Sequence, residues 1–299
     1  MAGLLFAFST SAGAAQFTFA AFGDTPYNAA EESRLVSMID EMNREPLALA
    51  IHVGDFKNSR SECSDALFAQ RREWFGLSIH PFVFIPGDNE WTDCGRAQVA
   101  YAPLERLARL RELFFAGDTT LGRQPMRVER QMMRGYPEHQ RWSVQQVLFA
   151  TLNVPGPDNN ARLMPDESQQ RTPAVLEWLH EAFRIAREGK LPALVIVMHA
   201  NPWAGNRSYQ ILLDALANEA SQYPGEVLVV HGDTHRYRFD RPLVDRRSGQ
   251  RVENVTRLEV FGSPFVDWVR VSVEMADGRA RFSAVPGSQV GVQPSAAER

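Results

Sequence analysis

Residues 47–58 read Leu-Ala-Leu-Ala-Ile-His-Val-Gly-Asp-Phe-Lys-Asn, a largely apolar run that stops at Gly54-Asp55. Apolar runs of about five to eight residues bounded by Gly, Pro or polar residues suit buried strands. The same pattern recurs at 17–22, 82–85, 147–152, 194–198 and 227–230. Stretches with helical spacing lie between several of them: 29–43 after an Asn28 cap, 104–115, 174–186 opened by Thr172-Pro173, and 209–220. Strand and helix in alternation predict an α/β fold. The final third changes character. Runs at 258–261, 268–273 and 281–285, separated by turn signals such as Ala276-Asp277-Gly278, predict antiparallel strands of a second sheet.

The chain of 299 residues is long enough to bury a core, and 44% hydrophobic with 23% charged residues excludes disorder as its main state. A net charge of −4 gives no chain-wide attraction for nucleic acid or anionic lipid. No fixed-period repeat or sharp composition shift divides the chain, so one domain with two sheets is expected. Arg123, Arg127, Arg130, Arg134 and Arg141 read as a solvated basic loop.

At the start, the apolar run 4–8 is followed by Ser11-Ala12-Gly13-Ala14-Ala15, the order of a secretory signal with an A-x-A site. Residues 1–15 are therefore expected to be a signal peptide and the mature protein to be periplasmic or secreted. The run is too short to span a membrane, so no stable insertion is expected. In an exported chain the two cysteines, Cys63 and Cys94, favour one disulfide; in a cytosolic chain they would be free thiols. Residues 286–299 lack apolar periodicity and read as a disordered tail.

The endings of the apolar runs carry the chemistry: Gly23-Asp24, Gly54-Asp55, Gly87-Asp88, His199, and His231-Gly232-Asp233-Thr234-His235. In a mostly parallel sheet the carboxyl ends of the strands share one edge, where such folds place ligands. Carboxylates gathered there repel and take up protons unless cations neutralise them. Carboxylate with imidazole is the donor mixture of first-row divalent metals. A single Gly-Asp is a common turn; the set of five endings is what predicts metal.

In this order the residues resemble the calcineurin-like metallophosphoesterase superfamily, and in particular exported bacterial members. The superfamily signature is Asp-x-His, Gly-Asp-x-x-Asp/Asn, Gly-Asn-His-Asp/Glu, a lone His and Gly-His-x-His. Gly54-Asp55-Phe56-Lys57-Asn58 matches the second block, Gly87-Asp88-Asn89-Glu90 is a variant of the third, His199 the fourth, and Gly232-Asp233-Thr234-His235 the fifth. The resemblance implies a four-layer αββα sandwich of two mixed sheets over residues 16–285. It also implies that Asp55 bridges two divalent ions, with Asp24 and His235 on one and Asp88, His199 and Asp233 on the other. Three departures stand out. Asp24-Thr25-Pro26 lacks the family's first His, which leaves one metal short of a protein ligand, a phenolate from Tyr27 being the alternative. Asp88 and Asp233 replace Asn and His, an oxygen-rich set that favours Mn, Fe or Mg over Zn and admits Ca. Asn89 replaces a His, and an amide cannot act as a general acid.

The resemblance implies hydrolysis of phosphate esters by a metal-held hydroxide nucleophile. Asn89 and His231 are the expected catalytic side chains, with His52 a further candidate proton donor; for either His, packing in the core is the other reading. Lys57, Asn58 and Asn89 are the expected contacts to a phosphorylated small molecule. The alternative is a metal or anion-binding protein that keeps the fold and has lost turnover, as Pro26 and Asn89 at two functional positions suggest. Oligomeric state and substrate identity are not encoded in any motif found.

Overall fold

The computed structural model describes residues 16–276 and 278–289. Its fourteen strands are β1 (Gln16–Phe22), β2 (Leu47–His52), β3 (Phe82–Phe84), β4 (Glu129–Gln131), β5 (Tyr136–Val144), β6 (Val147–Thr151), β7 (Ala193–Val197), β8 (Glu226–His231), β9 (Arg238–Asp240), β10 (Val244–Asp245), β11 (Gln250–Arg251), β12 (Val255–Glu259), β13 (Val269–Ala276) and β14 (Arg279–Pro286). The helices are α1 (Ala29–Asn43), α2 (Asp65–Phe75), α3 (Pro103–Phe114), α4 (Pro165–Glu188) and α5 (Gln210–Ser221).

Two mixed sheets result, ordered β14-β13-β1-β2-β3 and β4-β5-β6-β7-β8-β12-β9, with β10 and β11 as a separate hairpin. The pleat explains the layering, since successive side chains along a strand face opposite ways. On β1, Phe19 and Ala21 join Leu49, Ile51, Phe149, Val195 and Val230 between the sheets. Ala20 and Phe22 point the other way, onto Leu35 and Met38 of α1, Phe68 of α2 and Leu107 of α3. Leu194 and Ile196 of β7 pack outward against Trp178 and Leu179 of α4 and Leu216 of α5. Three apolar layers between four layers of structure make the expected αββα sandwich.

Several expectations change. The strand near 258–261 is β12, which lies parallel to β8 in the seven-stranded sheet, whereas β13, antiparallel to β1, and β14, antiparallel to β13, extend the other sheet. The final strands therefore complete both sheets instead of forming one of their own. Helix α4 opens at Pro165, ahead of Thr172-Pro173. Its first turns escape an apolar count because the core-facing Arg171 is fully buried, ion-paired to Glu167 and bonded to the carbonyls of Asn153 and Asn159. Part of the expected basic loop is β4 and β5: Arg141 is buried over the Trp178 ring and paired with Glu129. Arg130 donates to three backbone carbonyls. At the far end, β14 runs through Pro286, and Gly287 and Ser288 bond back to Trp268 and Asp267, so the tail expected from 286 starts too early. The expected signal segment, residues 1–15, lies outside the described residues.

Cys63 and Cys94 form a disulfide with Cα atoms 5.8 Å apart, tying the segment after β2 to the segment after β3. No helix among the described residues is long and apolar enough to cross a membrane.

Candidate metal centre

β1, β2 and β3 run parallel, as do β6, β7 and β8, so the carboxyl ends of each set share an edge. The chain leaves these ends through Asp24, Asp55, Asp88, His199 and Asp233, and the two edges meet. The Asp24 backbone N–H donates to the Gly54 carbonyl, and the Asp233 N–H donates to the Asp24 carboxylate across the sheets at 3.1 Å. The turns are tight enough to hold Asp24, Asp55, Asp233 and His235 at positive φ, between 51° and 73°. That region is unfavourable for side chains with a Cβ, and strain of this kind clusters at functional sites. Glycines clear the space: a Cβ on Gly87, Gly156 or Gly232 would overlap a carboxylate oxygen of Asp55, Asp233 or Asp24 respectively.

Six expected ligands come together here. Oxygen and nitrogen atoms of Asp24, Asp55 and His199 lie within 4.8 Å of one another, as do those of Asp88, His199 and Asp233. His199 Nε2 is 3.0 Å from Asp88 Oδ1 and 3.5 Å from Asp55 Oδ1. His235 Nε2 is 3.4 Å from Asp24 Oδ1. Both rings are fixed through their other nitrogen: His199 Nδ1 donates to the Val53 carbonyl at 2.9 Å and His235 Nδ1 to the Ser263 carbonyl at 2.7 Å. A carbonyl only accepts, so each Nδ1 carries the hydrogen and each Nε2 offers its lone pair to the cluster, the arrangement that metal-binding imidazoles use.

The electrostatics agree. Burial, reinforced by Asp88, Glu90 and Asp24 against the pull of His199, pushes the Asp55 carboxyl well above the ordinary carboxylate range. Burial pushes Asp233 up to about 6. Burial pulls His199 down, but the surrounding aspartates outweigh it and hold the imidazolium above its usual range. The protein alone meets this crowding by binding protons, and cations supply the same neutralisation. A set of four carboxylates and two imidazoles on glycine-cleared turns fits divalent ions.

The other expected site residues are placed differently. Asn89 lies in the cluster: its backbone N–H donates to Asp55 Oδ1 at 3.0 Å and its Nδ2 to Asp55 Oδ2 at 2.5 Å. Lys57 is not poised for a phosphate. It is buried, and its ammonium donates to the carbonyls of Asn58 and Asn89, which fixes those loops. Asn58 is used up as well, accepting from the Arg60 and Ser61 N–H groups and donating to the Tyr27 carbonyl. His231 is ill suited to protonate a leaving group. Burial lowers its pKa to about 3, its Nδ1 donates to the Gly232 carbonyl, and its ring lies 5.7 Å from that of Trp203. His52 is structural too, accepting from the Gly54 N–H and donating to the Thr25 carbonyl among Phe22, Phe75 and Phe84.

Beside Asp233 and His235 opens a cavity of about 530 Å³ lined by Asn201, Trp203, Gly205, Thr234, Arg236 and Arg238. Arg238 is paired with Glu259. Sequence reasoning passed over Arg236, whose one signal was its place next to His235.

The sequence profile of the calcineurin-like phosphoesterases matches residues 17–237. The chain belongs to that family. No curated protein sequence matches this chain. Among solved structures it is similar to purple acid phosphatase PPD1 from yellow lupin (Lupinus luteus) seeds, with TM-score 0.55 and 12% identity, covering 93% of this chain and 53% of that one. It is also similar to a 5'-nucleotidase from Candida albicans, with TM-score 0.51 and 13% identity, covering 91% of this chain and 51% of that one. The chain thus spans about half the length of these structures. At such identities the likeness establishes the fold.

Proposed function

We propose that this phosphoesterase is an exported, metal-dependent hydrolase of phosphate esters with a dinuclear centre. The observation that carries the reading is the convergence of Asp24, Asp55, Asp88, His199, Asp233 and His235 on one rim. Asp55 stands between the two halves: Oδ2 faces Tyr27 while Oδ1 faces His199. Divalent ions bound there supply Lewis-acid polarisation of a phosphoryl oxygen and acidify a water. The oxygen-rich donors favour Mn, Fe or Mg. The chain's own part is orientation. The Asn89 backbone N–H and side-chain amide both clamp Asp55, and the amide also donates to Tyr27 Oη at 3.2 Å. Arg236, exposed on the adjoining cavity, gives an anionic ester a complementary charge. The disulfide supports export to an oxidising compartment, as does the reading of residues 1–15.

The second reading, a binder without turnover, is favoured by Asn89, which cannot give up a proton where the family has a His. Elemental analysis of the purified protein, followed by hydrolysis of an activated aryl phosphate with Mn, Fe, Mg or Zn, separates the two. The hydrolase predicts turnover that Asp55→Asn reduces by about 10³-fold or more, since several kcal/mol of charge stabilisation is removed. Bound ions with no turnover under any metal would leave the binder standing.

A further inference from the structure

The first half of the centre has only three expected ligands, Asp24, Asp55 and His235, because Pro26 stands where the family's first His would be. Tyr27, next in sequence, is turned into the gap. Its hydroxyl oxygen is 3.0 Å from Asp55 Oδ2 and 3.3 Å from His235 Nε2, and its ring meets that of His235 edge-on at 5.4 Å. Asp55 Oδ2, Tyr27 Oη, His235 Nε2 and Asp24 Oδ1 thus form a chain of neighbours with spacings of 3.0, 3.3 and 3.4 Å. Ligand atoms about 2.1 Å from one ion lie about 3.0 Å apart at right angles and about 3.4 Å apart in a tetrahedron. All three spacings fall in that interval.

The tyrosine is also held in place from outside the cluster. Its backbone N–H donates to Glu31 Oε2 at 2.7 Å and its carbonyl accepts from Asn58 Nδ2 at 2.7 Å. Glu31 is in turn fixed by Asn28 and by the Ser263 hydroxyl, on the loop whose carbonyl orients His235. The helix cap Asn28-x-x-Glu31 therefore clamps Tyr27 and His235 together. This arrangement accounts for Asn58 and Glu31, two polar residues that touch no other expected ligand.

We propose that the Tyr27 phenolate oxygen is the fourth protein ligand of the first metal site, replacing the missing imidazole. The proposal rests on the metal centre proposed above and is independent of turnover. On binding, an ion takes the place of the phenolic hydrogen that points at Asp55, and one proton passes to solvent. Three anionic oxygens and one imidazole make this the harder of the two sites, suited to ferric iron or manganese.

The test uses the full chain, stripped of metal and titrated with ferric iron or Mn(II) alone, with ion content and ultraviolet-visible absorption recorded. Wild type is expected to bind two ions and, with ferric iron, to develop a visible phenolate-to-metal absorption. Tyr27→Phe is expected to lose that absorption and to bind one of the two ions at least about ten-fold more weakly. Tyr27→His, which restores a nitrogen donor, is expected to hold both ions without the absorption. Circular dichroism of the stripped variants verifies folding. If wild type and Tyr27→Phe bind two ions equally and absorb alike, the tyrosine assignment falls and the centre stands. If wild type binds no ion, the centre itself is overturned, and the assignment with it.

Discussion

The carboxyl-end rim and the β4–β5 edge bury acids to the same degree and treat them in opposite ways. At the edge, Glu138 is fully buried, gripped by Arg111 at 2.7 and 2.9 Å and by Asn153 at 2.9 Å. Burial pushes its pKa up, but the guanidinium wins and holds the carboxyl below its usual range. At the rim, Asp55 is 4% exposed and has His199 as its only ion-pair partner among the described residues, and its carboxyl is driven well above the ordinary range. Lys57 stands close by, but donates to two carbonyls instead of a carboxylate. The edge carries its own cation within the chain. The rim leaves its charge for cations from outside, and this difference marks one as architecture and the other as a site.

The contrast can be broken first at the edge. Arg111→Met leaves Glu138 buried without its cation and is expected to cost about 3–5 kcal/mol of folding stability with ion content unchanged. Denaturant unfolding with elemental analysis checks both; an equal loss at the rim would erase the distinction. A slightly smaller effect concerns pH. Burial lowers the His139 pKa from 6.5 to about 4, so between those values the unfolded chain binds more protons than the folded one. Stability is therefore full above pH 6.5 and falls by about 3 kcal/mol from this group as pH drops through 4. Asp233, raised to about 6, works in the reverse direction, favouring the metal-free fold at low pH and losing that contribution as pH rises through 6. Melting temperatures across pH should show acid destabilisation that His139→Gln reduces; an unchanged profile would remove His139 from the account. The smallest effect sharpens the rim itself. A Cβ at position 156 would overlap Asp233 Oδ1 and come within 2.9 Å of Asp88 Oδ1. Gly156→Ala is therefore expected to weaken ion binding at the Asp88–His199–Asp233 half by about 10–100-fold while sparing the Asp24–Asp55–His235 half. Competitive metal titration distinguishes the halves, and equal weakening of both would refute the partition.

Much of the rim was legible because Gly-Asp after an apolar run needs no tertiary knowledge to find. The Gly-Asp endings at Asp24, Asp55, Asp88 and Asp233 are at the rim, as are His199 and His235. The roles of Lys57, Asn58 and His231 were not legible, since proximity in sequence does not say which way a side chain turns. Lys57 turns to carbonyls and His231 lies against Trp203. The elements that escaped notice share a cause. β5 buries Glu138, His139, Gln140 and Arg141 in succession, and α2 buries Arg71 among Phe68 and Phe75. A buried charged residue reads as a surface one until its partner is known, and those partners, Arg111 and Glu32, lie far away in the chain.

The sequence by itself determined the alternation of apolar runs with helical stretches and the acidic endings of the strands. Side-chain periodicity and turn chemistry are local, so a single chain displays them. Only the tertiary structure decided that β12 joins β8, that Arg111 neutralises Glu138, and that the Tyr27 hydroxyl meets Asp55 and His235. Each of these joins groups distant in the chain, and whether a buried charge is compensated depends on distance in space, which no spacing along the sequence records.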